Sequence, residues 1–121
     1  MSGEMYDYFR YEDLNFKIIN QGETLAARQK FSNGYEISVI TSLKYPRGTA
    51  YGEAFRETFE CAIFNPDDEY VPLKPIGKIL GFRSKGEIST LMLRCQAYGK
   101  TWEDELVKKE IQMRKEMELD D

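Results

Sequence analysis

An Asn-Gly pair, Asn33-Gly34, lies between two strand-like runs and constrains the fold of this chain more than any other feature. Such a pair between alternating apolar residues is a strong signal for a β-hairpin. A two-residue loop would place Arg28 and Lys30 on the apolar face of that hairpin. A three-residue loop over residues 32–34, with Gly34 in the left-handed position of a bulge, keeps the face mostly apolar. We therefore predict the three-residue loop and a half-buried antiparallel sheet.

The three-residue loop also fixes the register of the hairpin, because a shift by one residue would turn every side chain to the other face. The predicted pairs are Phe31 with Tyr35, Gln29 with Ile37, Ala27 with Val39, and Leu25 with Thr41.

Strand signals recur on both sides of the hairpin. Phe59, Cys61 and Ile63 alternate on one face of a strong strand at residues 55–64, and a turn at residues 65–68 follows it. Pro72 suggests an edge position for a shorter return strand. The remaining predicted segments are a strand at 17–19 with a turn at 20–22, the return strand at 69–73, and a last strand or extended crossing segment at 76–82.

Two helices are predicted at the end of the chain. Ser84 and Glu87 have the spacing of a capping box, apolar residues then repeat at helical intervals, and Gly99 is a natural stop. Thr101 is the expected cap of the second helix. The predicted class is therefore α+β: one domain, residues 1–121, with an antiparallel sheet of four to six strands followed by two C-terminal α-helices.

The domain divides into three parts in the sequence. Residues 1–16 are rich in aromatic side chains and are expected to lie over the sheet edge, or to cover it as a short helix. Residues 17–83 form the sheet, and residues 84–121 form the helical region with a frayed acidic end.

The amino-acid composition limits the catalytic and metal-binding sites that this chain can form. The 121 residues include no histidine, which excludes Ser-His-Asp triads, Cys-His dyads and imidazole zinc sites. The two cysteines lack a partner at metal-ligand spacing and are expected to be buried free thiols. We expect a non-enzymatic protein with no cofactor and no metal.

Charge and hydropathy bear on location and partners. The formal net charge of −4 argues against nucleic-acid binding by charge alone. No apolar run approaches the length of a membrane span, and no signal-peptide pattern precedes the domain. We expect a protein of the cytoplasm that does not associate with membranes.

A basic stretch marks one candidate ligand site. Residues 71–86 carry four basic side chains and no acidic one, and they end at the predicted helix N-terminus, which favours anions. Phe82 is placed to stack on a base and Arg83 to hold a phosphate, beside Ser84 and Lys85. Arg47 and Arg56, from the loop at residues 44–56, are candidates for the same ligand. The alternative is a solvated basic edge with an ordinary serine cap.

A second group of side chains is a candidate interface. An apolar stripe along the second helix packs in the core or against a second copy of the chain, and we expect a homo-oligomer. Aromatic residues of the loop at 44–56 are candidates for the same contacts, or belong to a surface connection. The candidate interface residues are Trp102, Leu106, Met113, Met117, Tyr45 and Tyr51.

One ordering of motifs carries a resemblance. An F-x-N-G-Y hairpin at residues 31–35 precedes Tyr51-Gly52, the strand at 59–63, and Gly81-Phe82 before a helix. This order resembles that of small proteins encoded by tailed bacteriophages, over roughly residues 31–98. The resemblance implies a phage accessory protein in the host bacterial cytoplasm.

Two functions follow from that class by analogy. The first is direct binding and inhibition of a host protein of anti-phage defence. The second is an oligomer that sequesters a phosphorylated small molecule, a nucleotide-type signal.

Overall fold

The predicted hairpin lies inside a five-stranded antiparallel sheet, in which each strand pairs with the next along the chain. A computed structural model describes residues 8–43, 57–74 and 77–119. The strand number lies within the predicted range of four to six. The strands are β1 (Lys17–Ile19), β2 (Thr24–Lys30), β3 (Glu36–Ser42), β4 (Phe59–Phe64) and β5 (Leu80–Arg83).

The register of the β2–β3 hairpin is the predicted one. Gln29 pairs with Ile37, Ala27 with Val39, and Leu25 with Thr41. The backbone N–H of Phe31 donates to the carbonyl of Tyr35 at 2.7 Å, which closes the three-residue loop. Gly34 has a φ of +89°, the left-handed conformation that the bulge requires.

The core lies between one face of this sheet and a helix. Ile37 pairs with Ile63 and Val39 with Cys61, so these four buried side chains share a face. The helix α1 (Lys85–Leu119) covers them with Ile88, Met92 and Cys95, which are fully buried and spaced four and three residues apart. This spacing puts all three on one helical face.

The prediction of two C-terminal helices is wrong: α1 is one helix. Gly99 was expected to end the first helix, but the helix continues beyond it with a kink. The backbone of Gly99 (φ 43°, ψ −113°) departs from helical values at that residue alone. Among the described residues, no helix is long and apolar enough to cross a membrane.

The helix begins as the capping box predicts. The backbone N–H of Glu87 donates to Ser84 Oγ at 3.1 Å, and the N–H of Ser84 donates to Glu87 Oε1 at 2.9 Å. Each side chain therefore satisfies the other residue's backbone donor.

Other segments differ from the prediction in extent. The strong strand begins at Phe59; residues 55 and 56 lie outside the described residues. The return strand predicted at residues 69–73 does not form. Within the part of the chain that the structure describes, its only β-pairing is an isolated bridge between Tyr70 and Phe64. Pro72 has no N–H with which to extend that pairing. The last strand, predicted within residues 76–82, is β5 at Leu80–Arg83; residue 76 lies outside the described residues.

The described part of the aromatic N-terminal segment packs on the core and includes a short 3-10 helix, Tyr11–Asp13. The Gln96 side chain donates to the carbonyl of Phe9 and accepts from its N–H, both at 2.8 Å. The Tyr11 ring lies 5.3 Å from that of Phe59, between centroids. These contacts fix the segment against both α1 and the sheet.

Gly34 and Gly22 offer a matched test of the hairpin geometry. Both have a φ of +89°, but an added Cβ would lie 3.2 Å from Pro66 Cγ at Gly34 and would meet nothing within 4 Å at Gly22. We expect Gly22→Ala to lower the free energy of unfolding by about 1–2 kcal/mol, the cost of a left-handed alanine. Gly34→Ala should lower the free energy of unfolding, measured in urea, by more than Gly22→Ala does. Equal losses would show that Pro66 moves aside without a cost in stability.

Candidate functional site

The kink at Gly99 brings three parts of the chain around one cleft of about 680 Å³. The β2–β3 loop, the turn after β4 and the middle of α1 each supply a wall. The residues that line this cleft include Asn33, Tyr35, Asn65, Asp67, Glu69, Tyr98, Gly99, Lys100, Glu103 and Asp104.

Gly99 permits the close approach of α1 to the hairpin. A Cβ at this position would lie 3.1 Å from Asn33 Nδ2 and 3.5 Å from Tyr35 Cε1. Asn33 Nδ2 also donates to the carbonyl of Cys95, one turn before the kink, at 3.0 Å. The hairpin loop is thereby fastened to the helix at the cleft.

Glu103 is the fixed carboxylate of the cleft. The hydroxyl of Tyr35 donates to its Oε1 at 2.6 Å, and Asn65 Nδ2 donates to its Oε2 at 2.8 Å. Hydrogen bonds to a charged acceptor are among the stronger ones in proteins. Both oxygens of Glu103 are therefore held in place by side chains from the sheet and the turn.

Asn65 is itself held by the turn that it begins. Its Oδ1 accepts the backbone N–H groups of Asp67 and Glu69, both at 2.9 Å. An asparagine that bonds its own following backbone is a common way to close such a turn. Its amide group is then oriented toward Glu103.

The cleft is acidic. Asp67, Glu69, Glu103 and Asp104 contribute carboxylates, against one ammonium group, that of Lys100. Lys100 Nζ lies 3.2 Å from Asp104 Oδ1, in a pair exposed to solvent. The formal balance of the lining is therefore −3, and the cleft attracts cations.

Tyr35 is held in its neutral form. Its burial, and next the hydrogen bond to Glu103, raise the pKa of the Tyr35 hydroxyl well above its ordinary value of 10.0. The hydroxyl therefore remains a donor to Glu103 throughout the neutral range.

A second depression continues the cleft along α1. It has a volume of about 440 Å³ and shares Glu69 and Glu103 with the first. Glu110 lies at its far end, with Oε2 3.7 Å from Lys78 Nζ and 3.9 Å from Arg114 Nη2. We call the two depressions together the acidic groove.

The predicted anion site is built differently from the prediction. Arg83 Nη1 lies 3.2 Å from Glu87 Oε2, and Lys85 Nζ lies 2.6 Å from Glu57 Oε1. Ser84 is occupied by the capping box. Arg83 and Lys85 thus each have a carboxylate beside them, and that of Glu87 lies at the helix N-terminus.

Phe82 is the exception in this region. Its side chain is 51% exposed and its φ is +52°, a left-handed value that is uncommon for a bulky residue. The β4–β5 register shifts here, since Phe59 pairs with Arg83 and Cys61 with Leu80. This irregularity turns the Phe82 ring outward.

The predicted interface stripe is buried at its beginning and exposed at its end. Trp102 is buried and Leu106 packs against the core, so neither is available to a partner. Met113 is half-buried and Met117 is exposed. The loop candidates Arg47, Arg56, Tyr45 and Tyr51 lie outside the described residues.

Sequence reasoning missed the acidic groove because its parts are far apart in the chain. Asn33 and Asn65 each carry a turn signal, but a turn signal does not indicate what the amide group contacts across the fold. Glu103 is one of several acidic residues in the last part of the chain, and only its contacts distinguish it.

The cysteines are inert in this structure. Cys61 and Cys95 are free and buried, as predicted, and burial raises the pKa of each thiol to about 12. Within the described residues, no group of three or more acidic or cysteine side chains has a geometry that would hold a metal ion.

Comparisons of this chain with family models, with curated proteins and with solved structures produced no match.

Tyr35→Phe tests whether the bond to Glu103 holds the cleft together. We expect the free energy of unfolding to fall by about 1–3 kcal/mol, because a donor to a charged group is lost. Trp102, the single tryptophan, reports urea unfolding by its fluorescence. Tyr98→Phe, in the same cleft but on an exposed side chain, is the control and should change stability by less than about 0.5 kcal/mol.

The same variant carries a pH signature. The pKa of Tyr35 is higher in the folded protein than the ordinary value of 10.0 that it has in the unfolded chain. The contribution of Tyr35 to the free energy of unfolding is therefore fully present below pH 10.0. It is lost as the pH rises above that value, because the unfolded chain then ionises first. We expect the loss of stability above pH 10.0 to be smaller in Tyr35→Phe than in the wild type. Parallel pH profiles would contradict the raised pKa.

Proposed function

We propose that this protein works by binding a protein partner rather than by catalysis, and that the acidic groove receives a basic segment of that partner. The carboxylate of Glu103 carries the proposal, because it is fixed from two sides in the middle of the groove. A fixed carboxylate binds a cation at lower entropic cost than a mobile one.

The chemistry of the groove favours lysine and arginine side chains as ligands. Asp67 and Asp104 are exposed on either side of Glu103, and the exposed Tyr98 adds an aromatic surface. Guanidinium groups bond carboxylates in pairs and stack on aromatic rings, so arginine fits this lining best. Phosphate groups are disfavoured there by the negative charge.

The resemblance to small phage proteins supplies the biological setting of the proposal. In that setting the partner is a host protein of anti-phage defence, bound and inhibited in the bacterial cytoplasm. Many such contacts gain speed and specificity from opposite charges on the two surfaces.

Sequestration of a nucleotide-type molecule is the second candidate, and the exposed ring of Phe82 is the observation that favours it. A strained backbone at an exposed aromatic residue is a recognised mark of a functional position. The pairing of Arg83 with Glu87 and of Lys85 with Glu57 weakens it, since a phosphate would have to displace a carboxylate from each cation.

Amide NMR titrations separate the two candidates. The probes are a tetra-arginine peptide and inorganic pyrophosphate. We expect the peptide to shift signals of the groove around Asn33 and Gly99, and pyrophosphate to leave residues 82–87 unshifted. Shifts confined to residues 82–87 with pyrophosphate would instead support sequestration.

Charge variants then test the groove itself. Asp67→Lys should weaken peptide binding about three- to tenfold, the effect of an exposed ionic contact reversed in sign. Glu12→Lys makes the same charge change at an exposed position on the 3-10 helix and should bind like the wild type. Equal losses in both variants would indicate general attraction by net charge and overturn the site.

A further inference from the structure

We infer that the outer face of α1 beyond the kink binds a second copy of this chain in antiparallel orientation. Asp104, Val107, Ile111 and Arg114 follow one another at spacings of three, four and three residues. At 100° per residue, all four lie within a sector of about 80° on the helix surface. This set is called the outer stripe.

The outer stripe lies on the side of α1 away from the core, and two of its residues, Asp104 and Val107, also line the acidic groove. Trp102 and Leu106 hold the opposite side of α1 against the core. The side chains of Asp104 and Arg114 are 54% and 60% exposed, and Ile111 is 48% exposed. Val107 is half-buried, one turn before Ile111. The stripe thus offers two apolar residues between an acid and a base.

The stripe is complementary to itself in one orientation. Asp104 precedes Val107 by three residues, and Arg114 follows Ile111 by three. An antiparallel pair that sets Val107 opposite the partner's Ile111 therefore also sets Asp104 opposite the partner's Arg114. The two-fold axis repeats both contacts, as an isologous interface requires.

The resulting interface has an apolar centre and charged ends. Two Val107–Ile111 contacts meet around the axis, and one Asp104–Arg114 pair lies on each side of them. A parallel pair would instead set Asp104 against the partner's Asp104, and like charges oppose that orientation. Charge thus selects the antiparallel dimer.

The contacts within one chain leave these residues able to pair across the axis. Asp104 bonds Lys100 at 3.2 Å, and Arg114 lies 3.9 Å from Glu110. The Lys100–Asp104 pair is exposed, and exposed pairs of this kind contribute little to stability. The Glu110 carboxylate is largely buried, but Lys78 also lies beside it at 3.7 Å, so Arg114 is not its only cation. Asp104 can accept from Lys100 and from the partner's Arg114 together, since a carboxylate has two oxygens.

This interface differs from the stripe predicted from sequence, in which Trp102 and Leu106 belong to the core. It needs no ligand in the acidic groove, but Asp104 and Val107 belong to both sites. Ile111 is in neither groove lining, so Ile111→Lys separates failure of the dimer from failure of the groove. Its test is the oligomeric state of the full chain, measured by sedimentation velocity over a range of protein concentrations.

The first expected result is a concentration-dependent dimer of the wild-type chain. Ile111→Lys should raise the dissociation constant at least about tenfold, because it puts a charge into the apolar centre. The substituted side chain is exposed, so circular dichroism and Trp102 fluorescence should match those of the wild type.

Charge reversal tests orientation and register. Asp104→Arg and Arg114→Asp should each weaken the dimer, since each variant sets like charges opposite one another. An equimolar mixture of the two variants should form a heterodimer, because one chain then presents only basic ends and the other only acidic ends. Glu105→Arg makes the same charge change as Asp104→Arg outside the stripe and should leave the dimer intact.

Three results would overturn the inference. The first is sedimentation of the wild-type chain as a monomer at every concentration, and the second is a dimer of unchanged affinity in Ile111→Lys. Failure of the mixed charge variants to associate, with both single variants folded and monomeric, would exclude the antiparallel register.

Discussion

The backbone of Gly99 is the constraint on which the arrangement around the groove depends. Only glycine adopts a positive φ inside a helix at low energetic cost. Gly99 does so where α1 meets the hairpin loop, and the helix is kinked there. A Cβ at Gly99 would be crowded against Asn33 Nδ2, at 3.1 Å. The two halves of α1, before and after the kink, have different surroundings.

The first half of α1 belongs to the core, and the second half belongs to the surface. Ile88, Met92 and Cys95 close the apolar face of the sheet, while Gln96 fastens the N-terminal segment. After the kink, Glu103 joins α1 to the sheet through polar contacts. Beyond that point the helix has one face against the protein and one exposed to solvent.

Charge distribution separates the two candidate ligand regions. The basic stretch that stands out in the sequence is largely neutralised in the fold, because Glu57 and Glu87 lie beside Lys85 and Arg83. The acidic residues around Glu103 have one cation among them, Lys100. The local charge of the basic stretch is therefore offset in the fold, whereas the cleft around Glu103 keeps its negative charge.

The β2–β3 hairpin and its register follow from the sequence alone. Asn33-Gly34 and the alternation of apolar residues fix the loop length and register, since any other register mixes charge into the core. The Ser84–Glu87 spacing likewise fixed the start of α1. These features depend on neighbours a few residues apart, which a sequence displays directly.

The kink, the acidic groove and the exposed face of α1 depend on contacts between distant parts of the chain. Whether Gly99 ends a helix or bends one depends on the hairpin loop packed against it, more than sixty residues earlier in the chain. The acidic groove joins residues of a loop, a turn and a helix, and only the fold makes Glu103 their common partner. The outer face of α1 is defined in the same way, because burial of Trp102 and Leu106 decides which side of the helix remains in solvent.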